Sequence, residues 1–228
     1  KAYIEDLNGN RLLDLKDHPL HVISYSLPID KIVTKEELMR HLHTNPKMPK
    51  AIPFEFKYYE RDWGFCIQHS SLRKFTKDKY KVLIESEFEN GSLKVGDFTI
   101  KGRREDTIVI VAHLCHPAMA NDDLSGVSVL VEIAKELKKK VNNYTYKFLI
   151  LPESIGSIAY LSQNEGIIPK LKYGIFLEML GNRNIHALQL TRQGNTKLDR
   201  IAAYVMKRKL KKFRREPFRK IVENDEMV

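Results

Sequence analysis

The chain has 228 residues, 43% of them hydrophobic and 30% charged, with a formal net charge of +10. This balance fits a soluble globular protein with room for one large domain or two small ones. It excludes a bilayer-spanning helix, because no apolar run approaches the roughly 20 residues needed, and a disulfide scaffold, because Cys66 and Cys115 are the only cysteines. No secretory pattern opens the sequence, so a cytoplasmic location is expected. The missing initiator Met suggests a processed or excised piece of a longer chain.

Short extended runs at residues 2–6 and 11–15 flank Asn8-Gly9, a pair that tolerates positive φ and so predicts a β-hairpin. Val22 and Ile23 among polar neighbours predict a strand from His21 to Ser26. Thr34-Lys35-Glu36-Glu37 is a capping box that opens a helix to about His43, where Asn45-Pro46 stops it. Phe54 to Tyr59 and Trp63 to Gln68 are aromatic and strand-like. His41, His43 and His69 have no carboxylate or thiol at ligand spacing, so surface or capping roles are expected. Residues 80–88 and 92–100 flank Glu89-Asn90-Gly91 and predict a second hairpin.

After about residue 103 the pattern changes to alternating strands and helices. A β-branched strand over 107–112 precedes a helix over 124–140, with a stripe of Val127, Leu130, Val131, Ala134 and Leu137. A strand over 146–151 precedes a helix over 155–165. Strands over 173–180 and 186–191 follow, then a helix over 196–212. The expected fold is α/β, a mostly parallel sheet flanked by helices (104–228), with a smaller N-terminal β-rich α+β domain (1–103). Residues 207–220 hold nine Lys and Arg against Glu216 alone. That patch is either a solvated face or a surface for an acidic partner; no motif points to nucleic acid.

Three core strands end on an acidic or imidazole group. The first delivers His113, with Asp122 and Asp123 in the loop after it; the second delivers Glu153 and the third Glu178. In a parallel sheet these ends share one edge. Each has a plain structural reading: a core histidine, a helix cap, a first-turn glutamate. Gathered together, buried carboxylates raise one another's pKa values unless a cation neutralises them, and His with carboxylates suits zinc.

The succession strand-His, Asn-Asp-Asp-x-Ser-Gly opening a helix, strand-Glu and strand-Glu-Met-x-Gly resembles the family-28 metallopeptidases, the co-catalytic zinc aminopeptidases. It is closer still to an aminopeptidase-like family of unknown function whose members carry His-Leu-Cys-His-Pro, Asn-Asp-x-x-Ser-Gly and Ile-Gly-Ser-Ile, the last here at 155–158. That family inserts a small β-rich domain near the start of the peptidase fold. Leu42-His43-Thr44 and Trp63-Gly64-Phe65-Cys66 look like parts of it, and the resemblance covers essentially the whole chain.

The resemblance implies a zinc-exopeptidase-like core (phosphorylase/hydrolase-like), truncated here at its C-terminal end, and one or two zinc ions. It puts His113 on one zinc, Asp122 as a bridge between two with a cis peptide to Asp123, and Glu178 on the same metal as His113. Glu153 corresponds to the general base, with metal ligation as its rival role. Three departures stand out. Glu153-Ser154 replaces a Glu-Glu pair, and Cys115 stands where an Asp usually orients the first histidine. The last histidine ligand belongs downstream of an acidic segment like 224–227, and Val228 ends the sequence before one appears. His116 is left open as an extra ligand; His186 comes too early to replace the last histidine.

The expected activity is therefore hydrolysis of a peptide or other small amide by metal-activated water. The alternatives are a non-catalytic peptide- or sugar-binding module on a degenerate peptidase fold, and an amidase in envelope polysaccharide metabolism. An oligomer remains open.

Overall fold

The computed structural model describes residues 1–116 and 120–221, as two compact units, Lys1–Gly91 and Ser92–Val228. The acidic segment 224–227 lies outside the described residues, as does Pro117. Among the described residues no helix is long and apolar enough to cross a membrane.

In the first unit, β1 (Ala2–Asp6) and β2 (Arg11–Asp14) form the hairpin that Asn8-Gly9 predicts, with Gly9 at φ +83. The buried Asp6 carboxylate closes this turn by accepting from the backbone of Asn8 and Asn10 and from the Asn10 side chain. β3 (Ile29–Thr34) and α1 (Lys35–Arg40) follow, and the Thr34 hydroxyl caps α1 by accepting from Glu37 N at 3.1 Å. Only half of the predicted capping box forms, because the Glu37 carboxylate pairs with Lys31. The two-residue strands β4 (Leu42–His43) and β5 (Phe65–Cys66) pair in parallel. β6 (Lys79–Ile84) lies between β1 and β3 in an antiparallel sheet of order β2-β1-β6-β3, over a core that includes Ile4, Leu38, Phe65 and Tyr80.

Three sequence expectations fail in this region, and one of them is the strand-like reading of Phe54 to Tyr59, where only an isolated bridge at Phe56 forms. Residues 21–26 form no strand: a short 3-10 turn covers Pro19–His21, only isolated bridges follow, and Tyr25 turns the chain at φ +67. Ile23 is buried there as a single anchor, which its apolar character alone cannot distinguish from a strand residue. The second predicted hairpin is also absent. β7 (Gly96–Ile100) pairs with a strand of the second unit, so Asn90-Gly91 marks the boundary between units, and residues 92–103 belong with the second.

The second unit alternates as expected from β8 (Thr107–His113) through α2 (Ser125–Lys138), β9 (Thr145–Leu151), α3 (Ile155–Gln163), β10 (Leu171–Phe176) and β11 (Ala187–Gln189) to α4 (Lys197–Lys209), and adds a short strand, β12 (Arg214–Glu216), that the pattern does not predict. Its main sheet has the order β10-β8-β9-β7 and is parallel except for β7. Side chains alternate across β8 as a strand requires. Ile108, Ile110 and Ala112 pack toward Leu130, Val127 and Ala134 of α2, while Val109 and Val111 pack with Tyr160 and Leu161 of α3. The α2 stripe differs at one position: Ile133 joins the core and Val131 faces outward.

The register positions the site. Val111 is level with Leu149 of β9 and Phe176 of β10, and His113 is level with Leu151. β9 and β10 flank β8 on opposite sides, so the sheet reverses its direction of growth around β8, the place where α/β sheets open a crevice at their carboxyl ends.

Candidate metal centre

His113 is the last residue of β8 and is 1% exposed, with its ring stacked on Phe176 at a centroid distance of 5.8 Å. Nδ1 lies 3.4 Å from Cys115 Sγ, so the thiol occupies the orienting position that an Asp usually fills. Nε2 faces the crevice, 2.9 Å from Asp122 Oδ1 and 3.6 Å from Glu178 Oε1. His113, Asp122 and Glu178 each offer a ligand atom within 4.8 Å of the others.

Asp122 is held by the turn Ala120–Leu124, where it is extended at φ −122, and its peptide bond to Asp123 is cis, as the resemblance implies. The rest of the Asn-Asp-Asp-x-Ser-Gly motif serves the loop after β10. Asp123 Oδ1 accepts from Met179 N at 3.0 Å, Ser125 Oγ from Leu180 N at 2.9 Å, and Asn121 Oδ1 from Gly181 N at 2.9 Å. Three consecutive amides of the Glu178 loop are thus gripped by alternate residues of one motif, and the residue between Asn121 and Asp123 is left to face the crevice. Asp123 also caps α2 by accepting from Gly126 N at 3.0 Å. Gly126 is required by this packing, because a Cβ there would fall 2.2 Å from Asp123 Oδ2 and 2.4 Å from Leu177 O. Sequence reasoning kept Asp123 only as a possible cap and assigned Asn121 and Ser125 nothing. Their hydrogen-bond partners lie more than fifty positions away, and no local signal marks them.

Charge at this edge is unevenly compensated. Burial opposes a charged His113 ring, but Asp122, Cys115 and Glu178 outweigh it and hold the imidazole pKa up to about 12. The His113 partner lowers the pKa of Asp122 against its burial. Burial pushes Asp123 up to about 6 despite its backbone donors, and burial likewise raises Glu178 against the pull of His113. His113 Nε2 and Asp122 Oδ1 are both buried and 2.9 Å apart, an ion pair with each other and with no further hydrogen-bond partner. Both atoms therefore aim at the same small space, which Glu178 also borders. Imidazole and carboxylate ligands of one zinc ion, with bonds of about 2.0–2.2 Å, stand roughly 3–4 Å apart. The observed separations and donor types fit such an ion.

Glu153 follows β9 and belongs to neither of the two groups at ligand distance among the described residues, His113 with Asp122 and Glu178, and His113 with Cys115 and His116. It is close enough for its charge to raise the pKa of Glu178. The residues after the two glutamates, Ser154 at φ +55 and Met179 at φ +50, both turn through the left-handed region that non-glycine residues seldom adopt. His186 lines a cavity of about 360 Å³ beside Glu178, between β10, β11 and α4, and takes no part in either ligand group.

The model of a domain of unknown function, DUF4910, matches residues 17–228. A Clostridium acetobutylicum protein, named provisionally as a polysaccharide biosynthesis protein with an aminopeptidase-like domain, is 38% identical over 205 residues, which are 90% of this chain and 47% of that protein. A crystal structure from the same organism, described provisionally as a peptidase, superposes with a TM-score of 0.93 at 36% identity, covering 99% of this chain and 53% of the other. The chain therefore spans about half the length of these relatives. BSAP, a zinc aminopeptidase from Bacillus subtilis, superposes with a TM-score of 0.66 at 14% identity, covering 96% of this chain and 66% of the other, which shows that the fold is shared.

Proposed function

The chain belongs to the DUF4910 family, and from that premise we propose that it carries the metal-binding edge of an aminopeptidase-like hydrolase acting on a peptide or other small amide. The observation that carries this reading is the convergence of His113, Asp122 and Glu178, whose ligand atoms lie within 4.8 Å of one another at one sheet edge, with His113 Nε2 and Asp122 Oδ1 buried together.

Zinc bound there supplies a Lewis acid that polarises the scissile carbonyl and acidifies water. The chain's own residues do the rest. His113, Asp122 and Glu178 would hold the ion, and the contact between His113 Nδ1 and Cys115 Sγ orients the ring so that Nε2 faces it. Asn121, Asp123 and Ser125 keep the Glu178 loop in register with β8. Glu153, outside the ligand group, takes the proton of the attacking water and returns it to the leaving amine. A carboxylate spent on the metal is a weaker base, so its separation from the ligands favours this role over ligation.

Ser154, standing where a second carboxylate is usual, favours one other reading: a peptide- or sugar-binding module without catalysis. The Clostridium relative is named for polysaccharide biosynthesis, which makes N-acetylated amino sugars a second substrate class to test. The experiment is an assay of the full-length protein on aminoacyl chromogenic amides and on acetylated amino sugars. Turnover of either class is expected to stop on chelation. It should fall about 10²–10⁴-fold in Glu153→Gln while zinc affinity is kept. Binding without turnover by the wild type would select the second reading.

A further inference from the structure

The two ring nitrogens of His113 face different chemistry. Nε2 looks onto the oxygens of Asp122 and Glu178, at 2.9 and 3.6 Å. Nδ1 lies 3.4 Å from Cys115 Sγ. His113, Cys115 and His116 form a second set of ligand atoms within 4.8 Å of one another, distinct from the set with Asp122 and Glu178. His113 is the one residue the two sets share.

The second set is the softer one. It has a thiol and an imidazole where the first has two carboxylates, and sulfur with nitrogen suits ions such as copper(I), which carboxylate oxygens hold poorly. Its spacing suits an ion as well. A nitrogen at about 2.0 Å and a sulfur at about 2.3 Å from one tetrahedral centre stand roughly 3.5 Å apart, close to the observed 3.4 Å. A contact that only oriented the His113 ring would need no third donor, yet His116 brings one. Cys115 is exposed, whereas His113 is 1% and the His116 side chain 13% exposed, so an ion reaches the sheltered imidazoles by way of the thiol. Cys66, the other cysteine, is buried in the first unit, and burial pushes its thiol up to about 12, which leaves Cys115 as the available sulfur.

We propose that His113 Nδ1, Cys115 Sγ and His116 form a site for a soft ion of the copper(I) class, and that filling it shuts the zinc site. As the ion binds, a metal–sulfur bond forms, the S–H bond of Cys115 breaks and its proton leaves to solvent. A neutral imidazole carries one lone pair and one N–H, so it ligates through one nitrogen at a time. An ion on Nδ1 puts the proton on Nε2, and Nε2 then cannot serve an ion held with Asp122 and Glu178. The soft site stands on its own geometry; the exclusion of zinc rests on the metal-centre reading above.

The test titrates the metal-free full-length protein with copper(I) under nitrogen against a competing chelator, and reads sulfur coordination by X-ray absorption at the copper edge. The wild type is expected to bind copper with sulfur among its ligands, and the copper-loaded protein should bind zinc more than about tenfold more weakly than the copper-free protein. His116→Gln should weaken copper binding more than about tenfold and leave the zinc affinity of the copper-free protein unchanged. Cys115→Ser should abolish the sulfur signal, and its zinc affinity should be the same with and without copper. Circular dichroism checks folding, and His116→Gln decides alone if Cys115→Ser does not fold. Copper bound without sulfur, or a copper affinity unaltered in His116→Gln, would overturn the soft site. Equal zinc affinities of the wild type with and without copper would overturn the sharing of His113. Failure of the copper-free wild type to bind zinc would overturn the metal centre instead, and the copper titration would still decide the soft site.

Discussion

Two turns of the second unit each bury an aspartate, and they treat it in opposite ways. At the start of α4, Asp199 is 2% exposed, and its carboxylate accepts from the amide and hydroxyl of both Thr191 and Thr196 at 2.7–2.8 Å. Burial disfavours that charge, yet the four donors prevail and its pKa is lowered. At the end of β8, Asp122 and Asp123 lie in a turn of similar size, but Asp122 Oδ1 and Asp123 Oδ2 have no hydrogen-bond partner. The α4 turn is closed by its own chain: both oxygens of Asp199 have donors, one on Oδ1 and three on Oδ2. The β8 edge is open in the direction of a common point. Asp199 is met on both oxygens by its own chain, whereas Asp122 is met only by His113 and His116, side chains that could themselves hold a metal.

The strongest way to break this contrast is to remove one aspartate from each turn. Asp122→Ala is expected to weaken zinc binding by more than about 100-fold, since losing a ligand exceeds the 10–100-fold typical of an outer partner. Asp199→Ala should leave zinc affinity unchanged. Calorimetry on both variants checks this, and equal affinities would erase the distinction.

Next in size is Gly126→Ala. The new methyl meets Asp123 and the Leu177 carbonyl, so a loss of about 1–3 kcal/mol in urea unfolding is expected, with weaker zinc binding because the Glu178 loop shifts.

Asp199→Ala itself should cost about 2 kcal/mol, the loss of a cap with hydroxyl and amide partners left behind. Its pH dependence has a definite sign. The folded pKa is depressed, so the stabilisation is fully present above the unfolded value near 4 and is lost as pH falls through the folded value. Asp199→Asn should accordingly flatten the acid limb of a stability-against-pH curve while leaving neutral-pH zinc binding alone.

The smallest effect is expected at Cys115. Cys115→Ala removes the Nδ1 partner of His113 and should weaken zinc binding about 10-fold, and Cys115→Asp should restore it.

Much of the second unit was legible because its signals are local. A β-branched run buried on both faces and a 3.6-residue stripe each specify an element from neighbouring residues alone. The first unit was legible where a turn residue required positive φ, as at Gly9, and misread where a lone buried side chain, Ile23, imitated strand alternation. Asn90-Gly91 carried the same chemistry as Asn8-Gly9 without making a hairpin, because β6 found its partners in β1 and β3, and β7 found its partner in β9.

By itself, the sequence determined which side chains end the core strands: His113, Glu153 and Glu178, with Asp122 in the loop between, since period and β-branching reveal where a strand stops. Only the tertiary structure decided which of them meet. The register of β8 against β9 and β10 brings His113, Asp122 and Glu178 within ligand distance, leaves Glu153 outside that group and turns Asp122 toward His116 as well. It also gave Asn121, Asp123 and Ser125 their task, because their partners are amides brought alongside only when the sheet forms. Local patterns record a residue's own conformation, while convergence depends on pairings between distant segments, and those exist only in the folded sheet.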